Sequence, residues 1–139
     1  MLQPVHKPPK LNLPLYSSPV PAGFPSPADD HIEAKLDLNL HLIKRPAATF
    51  FVKVQGDSMK DIGIFEGDLL IVDRSIDPKS DDIVIAIQHG ELTVKRLKIL
   101  TSKTILSAEN SEFPDILLDE TGCEIWGIVT HNIRQHCAR

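Results

Sequence analysis

The chain has 139 residues, 42% of them hydrophobic and 24% charged, with a formal net charge of -4. That length holds one hydrophobic core with an appended arm, and the balance is that of a globular chain and not a disordered one. The longest apolar run, Ile83-Val84-Ile85-Ala86-Ile87, is far short of the roughly 20 residues of a membrane span, and the acidic balance argues against strong direct binding to nucleic acid.

In chain order, the first residues lack both a basic stretch and an apolar core of the kind that directs secretion, so a cytoplasmic protein without membrane association is expected. Cys123 and Cys137 are too few for a disulfide scaffold. Eight of the 11 prolines (Pro4, Pro8, Pro9, Pro14, Pro19, Pro21, Pro25 and Pro27) lie in the first 27 residues, where Lys7 and Lys10 are the only charged side chains. Each proline fixes φ and removes a donor, which excludes a sustained helix or a central strand. Residues 1–30 therefore read as a flexible, extended arm, and residues 31–139 as one β-rich domain.

After residue 30, Asn39 is placed to cap a short helical turn from Leu40 to Lys44, closed by Pro46. Short β-branched and aromatic runs follow at 48–54, 68–73, 82–88, 91–100, 103–107 and 123–133, separated by Gly, Asp, Asn, Ser or Pro. That spacing predicts a compact, mainly β, mostly antiparallel fold. His89-Gly90, between two of the runs, reads as a tight hairpin.

Few residue patterns carry chemistry. His6, His31, His41, His89, His131 and His136 are scattered, and no C-x-x-C or helical H-x-x-x-H pair occurs, so no metal site is expected. Neither a calcium loop nor a phosphate-cradling glycine loop appears, and no cofactor is expected. Tyr16 and Trp126 alone are too few for a base-stacking platform.

The exception is Gly56-Asp57-Ser58-Met59-Lys60-Asp61, directly after a strand-like run. A sharp turn at Gly56 into a short helical segment would set the Ser58 hydroxyl among outward-pointing N–H groups, with those of Asp57 and Ser58 available to an oxyanion. On local sequence alone the same residues read first as caps of a helical turn, which is what Ser and Asp usually do there. A serine nucleophile needs a base, and a neutral lysine can supply it. Strand alternation over 92–100 puts Lys95 on one largely apolar face with Thr93, Leu97 and Ile99, where it is either desolvated or snorkelling to solvent. Desolvation matters because a lysine with a pKa of about 10.4 is neutral in only about 4 molecules in 10,000 at pH 7.

Four blocks carry a resemblance: Gly56-Asp57-Ser58-Met59, Gly67-Asp68-Leu69-Leu70-Ile71-Val72-Asp73, Asp82-Ile83-Val84-Ile85-Ala86 and Thr93-Val94-Lys95-Arg96-Leu97. In order and spacing they resemble the LexA/UmuD family of self-cleaving Ser/Lys proteins, over about Ala22 to Ile133. The resemblance implies a LexA/UmuD-type β domain in which Ser58 is the nucleophile and Lys95 its general base. It also implies cleavage of the chain's own Ala22-Gly23 bond. Only 22 residues precede that bond, and they are proline-rich, so a helix-turn-helix domain ahead of it is not expected and the likeness is greatest to UmuD-like proteins. Their likeness implies an SOS mutagenesis protein whose cleavage a RecA–single-stranded-DNA filament stimulates. Its processed form is implied to be a homodimer that joins a UmuC-like, Y-family catalytic subunit in translesion synthesis. The alternatives are a non-cleaving polymerase-binding module, a fragment of a LexA-like repressor, and a signal-peptidase-like enzyme, for which a membrane anchor is missing.

Overall fold

The computed structural model describes residues 2–5, 7–16, 20, 22–23, 32–118 and 122–139. Met1, His6, His31, Pro19, Pro21, Pro25 and Pro27, and with them much of the expected arm, lie outside the described residues. The chain divides into two compact units, Val5–Lys44 and a larger one of Met1–Pro4 with Arg45–Arg139.

In the smaller unit, β1 (Leu13–Tyr16) pairs antiparallel with β2 (Ile32–Leu36), and α1 (Leu38–Leu42) follows. The helix starts two residues before the expected position. Its cap is Asp37 and not Asn39: the Asp37 carboxylate accepts the Asn39 N–H at 3.0 Å. An aspartate there also suits the positive end of the helix. Asp37 is buried and accepts a second, longer bond from the Leu11 N–H. Neither β1 nor β2 was expected. Pro14 sits in β1, within a sheet of only two strands, where a missing donor is tolerated.

The larger unit is built on a mainly β, antiparallel sheet. Its strands are β3 (Thr49–Lys53), β4 (Leu69–Asp73), β5 (Ile83–Gln88), β6 (Glu91–Ile99), β7 (Thr104–Ser107), β8 (Ile116–Leu117) and β9 (Glu124–Ile133). Their order across the sheet is β3-β4-β9-β5-β6-β7-β8, and every pairing is antiparallel. Six of these strands coincide with the expected runs to within a residue or two; the two-residue β8 is additional. His89 and Gly90 turn β5 into β6 with φ of 52° and 77°, both left-handed, as a two-residue hairpin loop requires.

Alternation divides the buried side chains between the two faces of the sheet. Leu70, Val72 and Ile85 pack with Val54, Met59 and Ile64, while Val84, Ala86, Leu97, Leu106 and Ile128 form a second cluster. Because the first cluster draws on the segment between β3 and β4, that segment is pinned onto the sheet by its own apolar residues. β9 runs through the middle with two register shifts, opposite Ile71/Val72 and Ile85/Ala86. At the second, Gly127 lies so close to β4 that a Cβ would meet Val72 Cγ1 at 2.6 Å. The strand can approach there only without a side chain.

Candidate active site

The chain leaves β3 at Lys53 and turns at Gly56, whose φ of +83° is a conformation other residues rarely adopt. Glu66 accepts the Gly56 N–H at 3.2 Å. Met59, 1% exposed, drops into the core, and a single 3-10 turn (Lys60–Ile62) follows. Ser58 is therefore presented half-buried, immediately before an anchored residue. The expected helical segment is only this one turn, with Met59 at its cap position and no side-chain capping bond. Ser58 does not cap, which leaves its hydroxyl for another partner, and three residues are too few to create a helix dipole of consequence.

That partner is Lys95. From β6, its Nζ lies 3.2 Å from Ser58 Oγ, 3.1 Å from Thr93 Oγ1 and 3.2 Å from the Val94 carbonyl. The side chain is 7% exposed. Alternation places Lys95 and Leu97 inward, as expected, whereas Ile99, at the strand end, is exposed. Removal of water from the amine pushes its pKa below the ordinary lysine value. Three acceptors match the three donors of an ammonium. When neutral, the amine keeps two donors and gains a lone pair able to accept the Ser58 proton. The arrangement is thus chemically coherent in both protonation states, and its burial favours the neutral one.

Ser58 opens onto a cleft of about 580 Å³, lined among others by Phe51, Val54, Leu92, Thr93 and Val94. Its walls are mostly apolar. Among the described residues, neither the Asp57 nor the Ser58 N–H donates to a protein acceptor, so both are available to a negatively charged oxygen. The outer edge of β3 borders the cleft, and Leu2 makes an antiparallel bridge there, exchanging both backbone bonds with Phe51 at 3.1 and 2.6 Å. Ala22 and Gly23 belong to the smaller unit, where both are exposed in a bend.

Two residues that support this site have no distinct signal in the sequence. Asp68, 1% exposed, accepts a two-pronged contact from Arg134 (2.9 and 2.8 Å) and further bonds from Asn132 and the Phe65 N–H, both at 3.0 Å. The Arg134 bond holds its carboxyl well below the usual carboxylate range, although burial pulls the other way. Arg134 also donates to the Gly63 carbonyl at 2.6 Å and covers the Phe65 ring, closing the loop between Met59 and β4 against the end of β9. Asn110, 4% exposed, donates to the Asp57 carbonyl at 3.0 Å. Only a partner 53 residues away for Asn110, and 64 to 66 for Asp68, reveals either role.

Among the described residues no group of three His, Cys, Asp or Glu side chains is gathered to hold a metal, and no helix is long and apolar enough to cross a membrane.

The Peptidase S24-like family matches residues 14–130. Protein SamA of Salmonella typhimurium is 46% identical over 130 residues, covering 94% of this chain and 91% of SamA. Protein MucA of Escherichia coli is 41% identical over 127 residues, 90% of this chain and 86% of MucA. The LexA repressor of Histophilus somni is 42% identical over 139 residues, 98% of this chain but 65% of the repressor. A serine and a buried lysine in hydrogen-bond contact, on a family match spanning most of the sheet, place the chain in the Peptidase S24-like family.

Proposed function

We propose that the chain is a serine peptidase acting on itself, with Ser58 as nucleophile and Lys95 as general base, and that its bond is Ala22-Gly23. The observation that carries the reading is the 3.2 Å contact between Ser58 Oγ and an amine that is 7% exposed and shifted towards neutrality. Neutral Lys95 takes the Ser58 proton as the oxygen attacks the Ala22 carbonyl, and the Asp57 and Ser58 N–H groups hold the resulting oxyanion. The Lys95 ammonium then passes its proton to the departing Gly23 amine. Water, deprotonated by the same lysine, hydrolyses the Ala22 ester and restores Ser58.

The small residues flanking the bond suit close approach to Ser58 in a mostly apolar cleft. The product, Gly23 to Arg139, retains all seven strands of the larger sheet but loses β1, the partner of β2, and the Leu2 bridge to Phe51, so processing frees the edge of β3 and unpairs β2. With the likeness to UmuD-type proteins, this supports an accessory role in SOS mutagenesis. In that role a RecA–single-stranded-DNA filament promotes cleavage, and a dimer of the product serves a UmuC-like, Y-family polymerase in the cytoplasm.

Incubation of the purified chain at alkaline pH, followed by mass spectrometry, tests the chemistry directly. The expected product begins at Gly23 and is absent from Ser58→Ala and Lys95→Ala. Cleavage that persists in Ser58→Ala refutes the assignment.

A further inference from the structure

We propose that Asn110 is a positioning residue for this chemistry, one that aims the Ser58 N–H at the developing oxyanion. The inference rests on the reading of Ser58 as nucleophile and adds to it a residue outside the Ser–Lys pair.

The argument starts from peptide geometry. The Asp57 carbonyl and the Ser58 N–H belong to one planar trans peptide group and point in opposite directions, no cis peptide occurring among the described residues. Whatever fixes the carbonyl therefore fixes the N–H. Two donors converge on that oxygen: Asn110 Nδ2 at 3.0 Å and the Lys60 N–H at 3.2 Å. The Lys60 bond is local and moves with the turn. Asn110 comes from outside it, beyond β7, and is itself held by its Oδ1, which accepts the Glu112 N–H at 3.1 Å. Its amide is thus oriented by one partner on each side. Gln55, Gly56 and Asp57 are all exposed, so packing alone does not set this peptide plane.

Glu109 extends the same strut. Its carbonyl accepts the Asp61 N–H at 2.8 Å, its N–H contacts Met59 Sδ at 3.4 Å, and its carboxylate pairs with Arg96, the residue after Lys95 on β6. The segment beyond β7 therefore grips the turn on both sides of Ser58 and is tied to the strand that carries Lys95. A donor already aimed when the tetrahedral oxygen forms costs no reorganisation at that moment.

The test compares self-cleavage of the full chain across pH for the wild type, Ser58→Ala, Asn110→Ala and Asn110→Asp. Rates are expressed per folded molecule from melting curves of the same samples. Loss of an oxyanion donor typically lowers turnover by about 10²–10³-fold; misaiming one that remains is expected to lower the limiting alkaline rate by roughly 10–100-fold. The pH midpoint in Asn110→Ala should stay at the wild-type value, because the contacts of Lys95 Nζ are untouched. A purely structural role would leave the rate per folded molecule unchanged, and a limiting rate within about twofold of wild type overturns the proposal. Should Asn110→Ala fail to fold, Asn110→Asp decides the matter. It keeps the acceptor for Glu112 and loses the donor to Asp57, and normal cleavage by it refutes the inference. An inert wild type, or an active Ser58→Ala, overturns the Ser58 reading itself and this inference with it.

Discussion

The buried amine makes stability and activity report the same ionisation. Replacing Lys95 with Met keeps the length and apolar volume of the side chain and removes the titrating group. In the wild type the folded state holds the Lys95 proton less tightly than the unfolded chain, because burial lowers the amine pKa from the ordinary lysine value of 10.5. Between the folded pKa and that value the unfolded chain binds more protons, so wild-type stability rises with pH throughout that window and is level on either side. Lys95→Met lacks this term. The stability difference, wild type minus variant, should therefore grow in favour of the wild type by about 1.4 kcal/mol for each unit by which burial has lowered the pKa. Urea denaturation of both chains at intervals from pH 6 to pH 11, on a Ser58→Ala background to prevent cleavage, measures the difference. The lower edge of its rise should fall at the midpoint of the pH–rate curve for self-cleavage, apart from what loss of the Ser58 hydroxyl contributes. Below that midpoint the rate should climb about tenfold per pH unit, because only the neutral amine is a base. A difference that stays flat across the range would show that the amine is solvated in the folded state, and the base assignment would fail with it.

Thr93→Val removes the acceptor that lies 3.1 Å from Lys95 Nζ. A hydroxyl stabilises an ammonium more than a neutral amine, so the cleavage midpoint should move down by about half to one pH unit, read from the same rate curves. Asp68→Asn removes the charge that Arg134 binds and should cost about 1–3 kcal/mol in urea denaturation at neutral pH. Because the Arg134 bond holds the Asp68 carboxyl below its ordinary value, this contribution is complete above the ordinary aspartate pKa of 3.8 and fades as pH falls below it. A gap between wild type and Asp68→Asn that persists unchanged to pH 2 would contradict the linkage.

How much of this was legible in the sequence depends on the range of the interaction. The β5–β6 hairpin was readable because its determinants, two residues tolerant of positive φ between alternating strands, are adjacent in the chain. The inward face of Lys95 was readable for the same reason: period-two alternation is local. Its contact with Ser58 was expected only through the resemblance and not from any local pattern, since β6 lies four places from β3 in the sheet and the strand order brings the two together. Position in the chain also misled at α1, where Asp37 and Asn39 are equivalent as caps by composition, and the choice falls to Asp37, whose carboxylate is additionally buried. β1 escaped notice because proline density masks an edge pairing, and β8 because two residues carry no period. Asn110 and Asp68 hold backbone and side-chain partners about 50–66 residues away, and a polar residue gives no local sign of such a partner.

The geometry also narrows where control can act. Ser58 and Lys95 are already in hydrogen-bond contact, and the strut through Glu109 and Asn110 fixes the turn between them, so no rearrangement of the pair is needed before reaction. On the proposed reading the scissile segment is tethered to its own catalyst, which gives it an effective concentration of about millimolar. A pair both assembled and neutral, facing a segment at that concentration, would cleave without a stimulus. On that reading, then, restraint resides in the protonation of Lys95 or in the seating of the arm in the cleft, and a stimulating filament has to shift one of these populations. The two differ in a measurable way. A partner that seats the arm multiplies the rate by the same factor at every pH on the rising limb, whereas one that desolvates Lys95 further moves the midpoint and leaves the alkaline limit unchanged.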